Sequence, residues 1–108
     1  MNRIKIVTFV PIENADAVRL ALGQAGAGAI GEYSFCSFSS TGKGRFVPSD
    51  QAHPHIGQSG RAEIVDEERI EVVCDRQDAR VVIAALHSSH PYEEVAFDIH
   101  ELLDESEL

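Results

Sequence analysis

The sequence has no tryptophan, one methionine and only two cysteines. Cys36 and Cys74 lie far apart and form no C-x-x-C pair, so the common zinc and dithiol spacings are missing. A reduced, cytoplasmic setting is the simplest expectation. Long apolar runs are also missing, and none approaches the roughly 18 residues that a membrane-spanning helix needs. The first residues, MNRIKIVTF, lack a long apolar stretch and a small-residue cleavage site, which predicts no signal peptide. Basic residues are scarce: nine Lys and Arg stand against 18 Asp and Glu, a formal charge of −9. Nucleic acid is therefore not an expected partner, because binding it takes basic groups that displace counterions. An anionic membrane surface is disfavoured for the same reason. Cations or a basic partner fit better.

What is present is enough for one domain. The 108 residues can bury a real core without staples, and residues 1–108 read as a single unit with an acidic tail at 101–108. Arg3–Val10 alternates as a strand, with Ile4, Ile6, Thr8 and Val10 on one face and Lys5, Val7 and Phe9 on the other. Pro11 ends it. Asn14 is a candidate cap for a helix whose stripe is Val18, Ala21, Leu22 and Ala25, with Gly26 as its stop. Ala29–Ser39 is expected to be the second strand.

Ser40–Gly60 is rich in Gly, Pro and His, and a structureless stretch of this length is usually functional or mobile. A short hairpin is expected around Gly42-Lys43-Gly44, with Arg45-Phe46-Val47 as its second arm. Arg61–Cys74 reads as a third strand. Its charged middle, Asp66–Arg69, points to a bulge or to a sheet edge running beyond the core. Asp75 and Asp78 mark a helix start, and Ala79, Val82, Ile83 and Leu86 form its stripe. Pro91 removes a donor and disfavours helical geometry at His90. Val95, Phe97 and Ile99 then alternate as a last strand.

The order β-α-β-β-α-β predicts an α+β, ferredoxin-like fold with two helices on one face of an antiparallel sheet. Val7, Phe9, Val73 and Ala96 are expected on the other face. With no residues left to cover them, a homo-oligomer is the expected cover.

Several patterns bear on chemistry. Gly26-Ala27-Gly28-Ala29-Ile30-Gly31 matches G-x-G-x-x-G, but it follows a helix and precedes a strand, so it reads as a helix stop and turn. Gly42-Lys43-Gly44 is not a P-loop. Its amides, with Lys43 and Arg45, can hold an anion, and a flexible hairpin tip is the plainer reading. His53-Pro54-His55 and His87-x-x-His90 are candidate pairs for copper or zinc, with Cys36 or the Glu93 and Glu94 carboxylates completing a site. Glu93 and Glu94, if on a strand, point to opposite faces and form no acid–base dyad. Cys36 and Cys74 in apolar strands default to inert thiols. No constellation for nucleophilic catalysis is evident.

Longer motifs carry a resemblance. Gly31-x-Tyr33-Ser34-x-Cys36-Ser37-Phe38-Ser39-Ser40-x-Gly42-x-Gly44-x-Phe46-x-Pro48 is followed by Pro54-x-Ile56-Gly57-x-x-Gly60, Glu63, Glu68-Arg69-Ile70-Glu71 and His90-Pro91-Tyr92-Glu93-Glu94-Val95-Ala96-Phe97-Asp98-Ile99. Together they resemble the YqfO-type domain of the Ngg-interacting-factor-three-like proteins. That domain occurs as an insertion in larger metal-binding proteins and as a free-standing short protein, which this chain resembles. The His90-Pro91-Tyr92-Glu93 element is also similar to the CutA-type cation-tolerance proteins, and both groups are similar to the signal-transducing PII proteins. The resemblance implies ferredoxin-like subunits packed as homotrimers. It places the two-metal site and hydrolase-type activity of the larger proteins in flanking halves whose ligand motifs find no match here.

The expectation is a non-enzymatic, cytoplasmic, trimeric module of PII/CutA type. Its ligand would lie in an inter-subunit cleft near Gly42, Lys43, Gly44, Arg45, Tyr92 and Glu93. The alternatives are a metal-tolerance protein that binds copper or zinc through Cys36, His53, His55, His87 or His90, and a hydrolase-type enzyme.

Overall fold

The computed structural model describes residues 2–108. Strand β1 spans Arg3–Pro11, helix α1 Ala15–Gln24, β2 Phe38–Phe46, β3 Glu63–Asp75, α2 Ala79–Ser89 and β4 Phe97–Leu102. The four strands form one antiparallel sheet in the order β2-β3-β1-β4. This is the expected β-α-β-β-α-β arrangement.

The helices cover one face because their apolar stripes match the alternation of the strands. Ile4 and Ile6 on β1 pair with Cys74 and Val72 on β3. These residues, with Val10 and Ile70, pack against Val18 and Leu22 of α1 and Val82 and Leu86 of α2. Each fully buried Leu, Ile or Val contributes roughly 1.5–3 kcal/mol of hydrophobic stabilisation.

Helix α1 stops as its sequence predicts. Ala27 N–H reaches Leu22 O at 3.0 Å and Gly26 N–H reaches Gly23 O at 3.1 Å, the paired bonds of a Schellman ending. Gly26 sits at φ 108°, where a side chain is strained. The start departs from expectation. Asn14 occupies the cap position but makes no side-chain capping bond, and its Oδ1 is buried without a partner among the described residues.

The second strand is also corrected. Residues 29–37 are a loop with one isolated bridge, Ile30 to Tyr33. The loop is held by Gly28 N–H to Val73 O at 2.7 Å and Cys36 N–H to Gly28 O at 2.9 Å. Phe35 turns through φ 58° and lays its ring against Gly23, where a Cβ would come within 2.0 Å. Aromatic density there reflects loop packing and not a strand face.

Gly42-Lys43-Gly44 is not a hairpin tip. It lies inside β2, paired with Glu67, Asp66 and Val65 of β3. The pairing runs unbroken from Phe38↔Glu71 to Phe46↔Glu63, so Asp66–Arg69 contains no bulge. The expected extension beyond the core is present: Glu63–Asp66 pair with β2 alone, and the molecule is 49 Å long but only 26 and 23 Å across.

The last strand starts later than expected, at Phe97, and takes in Glu101 and Leu102 from the acidic tail. The tail then closes in a short 3-10 turn with a capping box between Asp104 and Glu107.

The second face of the sheet is more polar than its alternation predicts. Glu71, opposite Val7, is paired with Lys5 at 3.2 Å and with Arg69 at 3.1 Å. Arg69 also stands over the Phe9 ring at 5.9 Å. Val7 is only 1% exposed among these neighbours, whereas Phe38 is 65% exposed.

Candidate functional site

On this second face, where β2 and β3 run beyond the core, lies a groove of about 780 Å³. The strands supply its floor, residues 47–56 one wall, and the turn after α2 another.

The turn is built by Pro91. His90 ends α2 with ψ 137°, as the residue before proline prefers. Its ring is buried and fully engaged: Nε2 lies 2.7 Å from Phe9 O and Nδ1 accepts from Tyr92 N–H at 3.1 Å. These bonds assign the neutral Nε2–H tautomer, with Nε2 donating. Burial pulls the His90 pKa below its ordinary value, although the Phe9 carbonyl opposes the shift.

Anchored in this way, Tyr92 projects into the groove. Its ring centroid lies 5.0 Å from His90, 6.1 Å from Phe46 and 6.3 Å from His55. Its hydroxyl donates to Glu67 Oε2 at 2.8 Å. Burial, then the Glu67 bond, holds the phenol well above the usual tyrosine range.

Glu67 is 8% exposed. Its other oxygen, Oε1, lies over Gly44, where a Cβ would approach within 1.9 Å. Gly44 is therefore the residue that leaves room for this carboxylate.

The expected site residues divide into groups. Gly42, Lys43, Gly44, Arg45, Tyr92 and Glu93 all line the groove, as does His55. Lys43 is ion-paired with Asp66, and strand alternation sends the side chains of Lys43 and Arg45 to the face opposite Gly44. Glu93 lies on a bend and not on a strand, where its Oε1 accepts from His53 N–H at 2.6 Å.

The remaining candidate ligands sit apart. His87 is on α2, edge-on to Phe97 at 5.5 Å. Cys36 is in the loop tied to Val73, toward the opposite end of β3 from the groove. Cys74 is buried, which pushes its thiol pKa up. Among the described residues, no three His, Cys, Asp or Glu side chains converge into a group able to hold a metal ion.

Glu67, Phe9 and Phe46 are groove residues that patterning alone did not single out. The signal that could have found Glu67 is the register setting Gly42 opposite it, with Gly44 its diagonal neighbour on the same face.

These features define an α+β ferredoxin-type domain with a sheet-face groove, and solved structures share its fold. CutA from Archaeoglobus fulgidus, described as a periplasmic divalent cation tolerance protein, superposes with a TM-score of 0.64 at 17% identity, over 95% of this chain and 84% of that one. Bacillus subtilis GlnK in complex with ATP gives 0.63 at 12% identity, over 94% and 82%. No family model matches the chain.

Sequence similarity is stronger to larger proteins. The "GTP cyclohydrolase 1 type 2 homolog" of Bacillus subtilis is 53% identical over 96 residues, 89% of this chain and 26% of that protein. The protein of the same description from Halalkalibacterium halodurans is 48% identical over 103 residues, 95% and 28% respectively. The Bacillus cereus protein related to NIF3 superposes with a TM-score of 0.83 at 47% identity, over 95% of this chain and 26% of that one. The chain is thus a homologue of the YqfO-type segment of NIF3-like proteins. It spans about a quarter of the length of these relatives.

Proposed function

We propose that this domain is a non-enzymatic binding or regulatory module that assembles as a homotrimer and holds a small ligand in the groove between β2–β3 and the turn at 90–94. The groove itself carries the reading. It is concave, about 780 Å³, walled by aromatic side chains and equipped with few polar groups, the usual composition of a small-molecule site.

The assembly is supported by the second sheet face. Phe38 and Ala96 are exposed there, and among the described residues no element packs over them. The trimer implied by the resemblance to CutA-type and PII proteins would bury that face and close the groove with a neighbouring subunit. A cytoplasmic setting belongs to the same reading, in keeping with two free cysteines. A small molecule is preferred to copper or zinc because both nitrogens of His90 are already engaged.

The test is a native mass spectrum of untagged protein purified without added metal. A trimer carrying a non-protein mass is the expected result. A stable, ligand-free monomer would sink both the assembly and the cleft.

A further inference from the structure

We infer that Glu67 makes the groove selective for a planar cation or a donor-rich ring, such as an aryl amidine or an amino-substituted heteroaromatic, and not for a carboxylate or phosphate. This rests on the groove being a ligand site and specifies the chemistry that it accepts.

An ionised carboxylate offers sites for about four hydrogen bonds. Among the described residues Glu67 receives one, from Tyr92, although it is 92% buried by its 8% exposure. Oε1 has no donor among the described residues, yet it is not one of the fully enclosed unpartnered atoms, so it is open to any donor that enters the groove. Its Oε1 lies over Gly44, itself a groove-lining residue.

Three basic residues, Lys43, Arg45 and Arg69, also line the groove, but two of them are already neutralised by carboxylates. Arg69 is paired with Glu71 and stands over Phe9. Lys43 is paired with Asp66, and Arg45 alternates to the other face of β2. Glu93 and Glu94 add carboxylates at the rim. The rings of Phe46, His55 and Tyr92 complete the wall, and ring faces attract cations. A flat cation can therefore lie along the rings and donate its N–H groups to Glu67, forming charge-assisted bonds.

The experiment titrates the full chain with benzamidine, benzamide and benzoate, following amide resonances by NMR. Benzamidine is expected to shift Gly44 and Tyr92 and to bind about tenfold or more tighter than benzamide, the scale of a hydrogen bond to a charged group. Benzoate is expected to bind least. Glu67→Gln should abolish the preference for benzamidine while keeping the benzamide shifts. Gly44→Ala is the second variant, because its Cβ meets only the far end of the Glu67 side chain and displaces the carboxylate without breaking the strand; it should lose the same preference. Benzamide bound as well as benzamidine, a preference for benzoate, or a preference unchanged in folded Glu67→Gln would overturn the Glu67 assignment and leave the groove standing. Silence from all three probes at millimolar concentration would overturn both.

Discussion

The Tyr92 hydroxyl donates to Glu67 Oε2 at 2.8 Å and so ties the turn after α2 to the middle of β3, 25 residues earlier. Tyr92→Phe leaves the buried carboxylate without that donor. The expected cost is about 1–3 kcal/mol, read from urea denaturation at neutral pH. The phenol also links stability to alkaline pH. Its folded pKa is raised above the ordinary 10.0, so the folded state keeps a proton that the unfolded chain releases. The stabilisation is full below pH 10 and is lost as pH climbs through the folded pKa. Stability should therefore fall more steeply above pH 10 in the wild type than in Tyr92→Phe.

His90 gives the opposite limb. Its folded pKa lies below the ordinary 6.5, chiefly through burial, so the fold holds the neutral ring. Its contribution is present above pH 6.5 and is lost as pH falls through the folded pKa. His90→Gln should flatten the acid side of the stability curve. Nitrogen-15 shifts should report the Nε2–H tautomer at neutral pH, and a dominant Nδ1–H signal would contradict the bonds to Phe9 and Tyr92.

Arg19 joins three elements. From α1 it donates to Ser39 on β2 at 3.0 Å and to Glu68 on β3. Both ionic side chains are largely covered, at 26% and 17% exposed, so the pair is screened less than a surface one. Arg19→Ala should cost about 1–2 kcal/mol. Arg19→Lys should recover little of it, because a point charge cannot serve both partners as the fork does. Denaturation at low and high salt measures both. A full recovery by lysine would show that charge alone matters.

The same residues explain what patterning could and could not read. β1, α1 and α2 were legible because their apolar periods match the core directly. β2 was not, since Gly42 and Gly44 lower strand propensity. Gly44 is there for a tertiary reason, the space taken by Glu67. Asp66–Arg69 looked like an interruption because four charged residues break the apolar alternation of β3. Each has a distant partner: Lys43 for Asp66, Tyr92 for Glu67, Arg19 for Glu68 and Phe9 for Arg69. Likewise the turn with His90, Tyr92 and Glu93 stood out in the sequence, but its floor depended on the register of β2 against β3. Local patterns do not carry that register.

Gly26→Ala tests the helix stop in isolation. A Cβ there meets no atom within 4 Å, so any penalty comes from the backbone at φ 108°. The expected loss is about 1–2 kcal/mol, with groove resonances unmoved. A neutral effect would mean that the turn relaxes, and the bond from Ala27 to Leu22 would then be seen to exchange readily.

Phe38 offers the most direct access to the assembly. It is 65% exposed and stands opposite Glu71 on the second sheet face, away from the helix-side core. Phe38→Glu places a charge beside Glu71 and removes a large apolar contact from that face. If the face is buried between subunits, a new carboxylate desolvated there is strongly unfavourable. The variant should then run as a monomer in light scattering while its far-ultraviolet spectrum stays that of the wild type. Because the core is untouched, monomer stability should fall by no more than about 1 kcal/mol, the scale of a like charge set directly across from Glu71. A variant that keeps the wild-type mass would show that Phe38 lies outside any interface, and the covering of this face would have to be sought around Phe9 and Ala96.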